Sequence, residues 1–267
     1  MLQDSRFVAF AKRIEQSQTG EIGMHLHAWS TPPEYNLCTV GGGSGQPYLI
    51  EYPVEIMERK IAEMTSIINE KIGISPVSHR AGRWAMNDSY VELLKKYGYK
   101  VDCSVTPHIS WAGCEGQTYG SKGSDYSTFC EEPYYWNGLL EVPVTVRCSH
   151  SYFSPYNKNA RGYASSFYRI IKGKSIWLRP TGHNLSEMLW LLKNISKSES
   201  GYIMFMLHSS EMMPGGSPTF QTEESIEKMY EDIKTVFSEA CKYFEGETLR
   251  DYVSNNFVSN NLNMGVV

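Results

Sequence analysis

The 267-residue chain has no apolar run approaching the roughly 20 residues that span a bilayer, which excludes a helical membrane span. It has no basic block either. Lys and Arg number 25 against 29 Asp and Glu, a formal net charge of -4, and neutralising a nucleic-acid backbone needs clustered cations. The opening stretch, MLQDSRFVAFAKRIEQSQTG, lacks the n-region and apolar h-region of a signal peptide, so a cytoplasmic location is expected. Six cysteines (Cys38, Cys103, Cys114, Cys130, Cys148 and Cys241) are scattered without a Cys-x-x-Cys pair, so reduced thiols are expected rather than thiolate zinc or a disulfide framework. What remains is a chain with 41% hydrophobic residues, enough to bury a substantial core. Oligomeric state is not legible.

Periodicity gives alternating helices and strands. Val54, Met57, Ile61, Met64 and Ile68 recur at helical spacing, with Glu55, Glu58, Arg59, Lys60 and Glu63 expected on the solvated face and Gly73 as the stop. Ser75-Pro76 turns the chain into a strand at Val77–Ala81. A second helix starts near Asn87 and ends at Gly98, before a strand over Tyr99–Val105. Asn184 with Glu187 reads as a capping box for a third helix, and Thr222 opens a fourth that stops near Gly246. Tyr202–Leu207 is the most apolar strand candidate, and Leu139–Val146 is another. This alternation is the grammar of a parallel sheet or barrel with helices outside. One domain over residues 1–253 is expected, with an elaborated loop region at 109–175 and a loose tail at 254–267.

Functional groups in α/β sheets collect at strand exits. The run Glu21 to His27 reads as a strand ending in His-x-His, and period two turns His25 and His27 to one side, within reach of one ion. Two half-exposed structural histidines are the plainer alternative. His208 leaves the Tyr202–Leu207 strand, where an imidazole serves as a general acid or base, or simply caps the strand. Ser78-His79-Arg80-Ala81-Gly82-Arg83-Trp84 sits at a third strand exit. Its arginines and tryptophan suit an anionic or carbohydrate-bearing cleft, or a pairing with structural carboxylates. Asp102 is a functional carboxylate or a buried partner for Arg80 or Arg83. Gly41 to Gly45 lacks the Lys-Ser/Thr and the helix of a phosphate cradle, and His108, His150 and His183 lack ligand spacing.

Glu21 to His27, Ser78 to Trp84 with Val101 to Val105 beyond it, and Phe205 to Glu211 together resemble the polysaccharide deacetylase superfamily, of the carbohydrate esterase family 4 type. Ile176 to Pro180 adds a resemblance to its branch found in bacterial O-antigen and capsule gene clusters. The resemblance implies a distorted (β/α)7-type barrel and a divalent metal, usually zinc, that polarises an N-acetyl carbonyl and its attacking water. It makes His25 and His27 metal ligands, His208 the acid that protonates the departing amine, and Arg80 the partner of a catalytic carboxylate. Arg83, Trp84, Glu211 and Asp102 are then candidates to meet the N-acetylated carbohydrate substrate.

Two features depart from the superfamily pattern. Its commoner i, i+4 histidine spacing would fall on Trp29, and nothing before His25 matches its opening acidic motif, so the first strand-helix-strand is expected to be missing. Three protein ligands are usual for catalytic zinc, and Glu211, Asp102 or Glu21 remain open as the third. The expected function is a metal-dependent deacetylase of a surface-glycan sugar or its precursor. The alternatives are a non-catalytic or truncated carbohydrate-binding relative and an amidohydrolase barrel. The latter needs a late strand-end aspartate, and none follows His208 before Asp232.

Overall fold

The computed structural model describes residues 1–37, 42–149, 173–198 and 201–257. Cys38, Gly41, His150 and the last ten residues lie outside them. The chain divides into two compact units, and neither is continuous in sequence. The first takes Met1–Val105, Ser110–Pro143 and Glu247–Val267, and the second Thr106–Ile109 and Val144–Gly246. No linker separates them, which is why composition carries no sign of the division.

In the first unit, α1 (Ser5–Ser17), β1 (Met24–Leu26), α2 (Val54–Ile72), β2 (Ser78–Ala81), α3 (Asp88–Lys96) and β3 (Val101–Asp102) follow in order. Helix starts and stops are local chemistry. Asn87 Oδ1 accepts from the Tyr90 N–H at 2.9 Å to cap α3, and Gly73 ends α2 at φ 90, a left-handed conformation that costs glycine little. A hairpin follows, β4 (Tyr134–Trp136) and β5 (Leu139–Glu141), around Asn137-Gly138, both with positive φ as a tight I′-type turn requires. The sheet order is β1-β2-β3-β5-β4, parallel except for the last pair. Met24 and Leu26 on β1 pack with Met57, Ile61 and Ile68 of α2 and Val91 and Leu94 of α3. Each such side chain contributes about 1.5–3 kcal/mol on burial.

Several expectations are corrected. Lys60 does not lie on a solvated face but is 2% exposed, because it sits one turn from both Met57 and Met64 on the flank of the apolar stripe. The strand expected over Leu139–Val146 is cut at Pro143, which has no N–H for a ladder. Its first half is β5 and its second begins β6 (Val146–Ser149) of the other unit. The stretch expected to be loose after residue 253 is helical through Phe257, as α6 (Leu249–Phe257). Arg250 on that helix pairs with Glu15 at 3.2 Å, and its N–H donates to Glu21 Oε2 at 2.8 Å.

In the second unit, β6 pairs antiparallel with β7 (Lys174–Trp177), followed by α4 (Leu185–Ile195) and α5 (Glu223–Ala240). Ile176, Leu178, Met188, Leu191, Leu192 and Val236 form its core. Asn184 does not cap α4 with its side chain. It accepts from the Thr181 N–H at 2.8 Å and donates to Arg179 O at 2.8 Å, while Glu187 pairs with Lys174. Tyr202–Leu207 forms no ladder, because its bonds are split between two neighbours. Met204 N–H donates to Thr145 Oγ1 at 2.7 Å, and Met206 N–H donates to Leu178 O at 3.1 Å. Among the described residues no sheet closes on itself, so the expected ring of strands is not seen.

Candidate active site

Each unit carries one cluster of candidate groups. In the first, β1 turns Met24 and Leu26 into the core and leaves His25 exposed, so the alternation sends His25 and His27 to the other face. Their ring centroids are 4.6 Å apart, edge to face. His25 Nδ1 lies 2.8 Å from Arg80 O on the adjoining strand. A carbonyl only accepts, so Nδ1 carries the proton and Nε2 presents its lone pair outward. His25 has an open edge, yet desolvation by its packed surroundings pushes its pKa down to about 4. The charges of His27, Arg80 and His79 act in the same direction against the Arg80 carbonyl. A neutral imidazole with a free Nε2 is the form that ligates a metal.

Gly82 makes this approach possible. A Cβ there would press into the Leu26 carbonyl and come within 2.9 Å of His27 Nδ1. Catalytic zinc usually keeps three protein ligands, and no cluster of three His, Cys, Asp or Glu donors occurs among the described residues. Glu21, whose Oε2 accepts the Arg250 N–H, and Asp102, held by His79, do not cluster with the two histidines. The two histidines therefore fit a divalent ion in donor type, and His25 in tautomer, one protein ligand short among the described residues.

The arginine segment is arranged differently from expectation. Arg80 meets no carboxylate at ion-pair distance among the described residues. Its carbonyl holds His25, and its guanidinium stands 5.6 Å over the Trp84 ring. Trp84 is 9% exposed and stacked on Trp111, with centroids 6.5 Å apart, so its face is not presented to a sugar. Arg83 stacks 4.0 Å over Tyr48 and donates to Gln46 O and, at 3.0 Å, to Glu115 O, which ties two loops together. The exposed aromatic beside the histidines is Trp29, 44% exposed and 4.5 Å from the His27 ring. One more step of the His25–His27 alternation points to it.

Asp102 is 1% exposed and lies on the opposite, helix-facing side of the sheet, so it does not meet substrate. It belongs to a buried row set by strand register, His79 against Asp102 against Glu141. His79 Nδ1 is 2.6 Å from Asp102 Oδ1, and His79 Nε2 is 2.8 Å from Tyr90 Oη. Ser104 Oγ donates to Asp102 Oδ1 at 2.8 Å, and the Val105 N–H donates to Glu141 Oε1 at 2.9 Å. Burial and then the charge of Asp102 raise the Glu141 pKa well above the carboxylate range. The protonated form of Glu141 is thereby favoured beside Asp102, and its Oε2 has no hydrogen-bond partner among the described residues. Burial would raise Asp102 as well, but the His79, Glu141 and Ser104 contacts hold it below its ordinary value.

In the second unit, the short turn Ser209–Met212 folds Glu211 back so that it accepts the His208 N–H at 2.9 Å. Arg179 Nη2 donates to Glu211 Oε1 at 2.7 Å and lies 3.3 Å from His208 Nδ1. Burial alone would raise the Glu211 pKa, but the His208 N–H and the Arg179 guanidinium hold it down. Since a guanidinium only donates, neutral His208 accepts at Nδ1 and carries its proton on Nε2. Once charged, it can turn Nδ1–H toward Glu211 Oε2 at 3.5 Å. His208 thus has a partner in either protonation state, as acid–base work demands. Glu211, 2% exposed and fully engaged, positions His208 rather than meeting substrate. Arg179, a residue without an expected role, completes the cluster. His183 lines a cleft of about 370 Å³ with Trp177 and Arg179.

Neither a family model nor a curated protein sequence matches the chain. A solved structure does. A Mycobacterium smegmatis protein provisionally described as a polysaccharide deacetylase matches with a TM-score of 0.50 and 15% identity, over 96% of this chain and 68% of that one. The two share a fold. No helix among the described residues is long and apolar enough to cross a membrane.

Proposed function

We propose that the chain is a deacetylase of the polysaccharide deacetylase type, hydrolysing the N-acetyl group of a surface-glycan sugar, of O-antigen or capsule kind, or its precursor. The observation that carries the reading is the histidine pair, side by side at a strand exit with His25 locked in the tautomer that leaves Nε2 free. The fold shared with the mycobacterial protein supports it, and on this reading the strands belong to a distorted (β/α)7-type barrel. His25 and His27 would hold a divalent ion, zinc by donor type, which when bound supplies Lewis acidity to the acetyl carbonyl and to water. Arg80 fixes the His25 ring through its carbonyl. His208 carries a proton at Nε2, with Arg179 and Glu211 holding its ring, and the family resemblance makes it the acid for the departing amine.

Acetate release from N-acetylated oligosaccharides, with and without a chelator, is the test. The wild type is expected to lose activity on chelation and regain it with zinc. Full activity of His25→Ala would refute the assignment. The lack of a third protein ligand among the described residues favours a second reading, a carbohydrate-binding relative without turnover. One equivalent of zinc in the purified protein, lost on His27→Ala, would exclude it.

A further inference from the structure

A cleft of about 820 Å³ opens beside the histidine pair, within the first unit, and is lined by Trp29, Tyr35, Tyr52, Gln46, Gln117 and Lys60. Its rim and floor differ in chemistry. At the rim, Trp29 and Tyr35 are 44% and 42% exposed, flat apolar faces of the kind on which sugar rings stack, with side-chain amides nearby to hydrogen-bond hydroxyls.

At the floor is the buried ammonium of Lys60. Its Nζ donates to Thr31 O at 2.5 Å and Pro33 O at 2.7 Å and stands 5.0 Å over the Tyr52 ring. That uses two of its three N–H groups, and no carboxylate lies within 4.0 Å of it among the described residues. Glu34, exposed on the same cleft, acts on it only through space. Burial draws the Lys60 pKa down, the response of a cation enclosed without its counter-charge. Enclosing a charge is costly unless it is paired, and carbonyl dipoles and a ring face offset only part of that cost. A carboxylate entering the cleft would supply the missing pairing with a charge-assisted hydrogen bond.

We propose that this cleft is a subsite for an acidic sugar, with Lys60 receiving the carboxylate of a uronic acid unit and Trp29 stacking on the ring. The role of that sugar as part of the substrate rests on the deacetylase reading, whereas the binding itself does not. Trp29 links the subsite to the histidines, its ring 4.5 Å from that of His27.

The experiment compares binding of digalacturonate and its uncharged methyl diester by calorimetry, using the whole protein. The free acid is expected to bind at least 10-fold more tightly, with an advantage that shrinks as salt is added. Lys60→Met should abolish the preference and Lys60→Arg retain most of it, while Trp29→Ala should weaken both ligands. Should Lys60→Met fail to fold, the acid-to-ester ratio on the wild type and its salt dependence still decide. Equal binding of acid and ester, no binding of either at millimolar concentration, or a preference that persists in a folded Lys60→Met protein would overturn the proposal. Acid-selective binding together with no acetate release from N-acetylated oligosaccharides would leave the subsite standing and remove the deacetylase reading instead.

Discussion

Replacing Glu141 by glutamine isolates one proton and asks what it is worth. The native side chain accepts the Val105 N–H and sits beside Asp102 in a fully enclosed position that favours its protonated form. Glutamine has the same shape, with an oxygen to accept and an N–H to donate. In the unfolded chain the Glu141 carboxyl titrates near 4.5, whereas in the fold its pKa is raised well above that. Above pH 4.5 the native state therefore binds more protons than the unfolded state, and stability must fall as pH rises until the folded group itself ionises.

The slope is about 1.4 kcal/mol per pH unit wherever the unfolded carboxyl is ionised and the folded one is not, so above about pH 5 the wild type should lose stability steadily relative to Glu141→Gln. Asp102 contributes in the opposite sense, lost on acidification below its ordinary value of 3.8, and is common to both proteins in this window. Urea unfolding of both proteins at a series of pH values gives the difference directly. The two should be nearly equal at acid pH and diverge steadily toward alkaline pH, with the variant the more stable. Parallel stability curves would mean that Glu141 is ionised in the fold, and the raised pKa argued from its burial beside Asp102 would be wrong.

Two further outcomes follow from the sites. Gly82→Ala should destabilise the fold by about 1–3 kcal/mol through crowding of the Leu26 carbonyl and the His27 ring. It should also weaken zinc uptake, read by thermal unfolding and zinc titration of the same protein. Arg179→Met leaves the Glu211 carboxylate enclosed without its cation. The cost should be about 2–3 kcal/mol, below that of a fully buried pair because Arg179 is partly exposed. Chemical denaturation measures that loss, and the pH profile of acetate release should move with it, since His208 loses a donor at Nδ1.

The helices were legible because their signals are local. Apolar spacing from Val54 to Ile68, the Asn87 cap and the Gly73 stop each act within a few residues, and α2 and α3 lie where those signals put them. The strands were less so, since two to four residues are too few to display a period, and Tyr202–Leu207 shares its bonds between two partners. Asn137-Gly138 was a hairpin signal in plain view. The histidine pair was legible from alternation alone. The settings of Asp102, Glu211 and Arg83 were not, because they depend on parallel register and on turns that bring residues tens of positions apart into contact. Lys60 is the sharpest case. A lysine between Arg59 and Ile61 reads as solvated, and only the Thr31–Pro33 carbonyls explain why it is enclosed.

The return of α6 to the first unit has a consequence for the order in which the protein can be made. Arg250 reaches Glu15 across 235 residues of chain, and its N–H donates to one oxygen of Glu21, three residues before β1 begins. The amino-terminal segment thus emerges from synthesis long before its last polar partners exist. Until α6 arrives, Glu15 lacks its cation and Glu21 lacks its donor, next to the strand that carries the histidines. The first unit is therefore finished last, and a nascent chain released short of Arg250 would lack these contacts in the segment leading into the histidine strand.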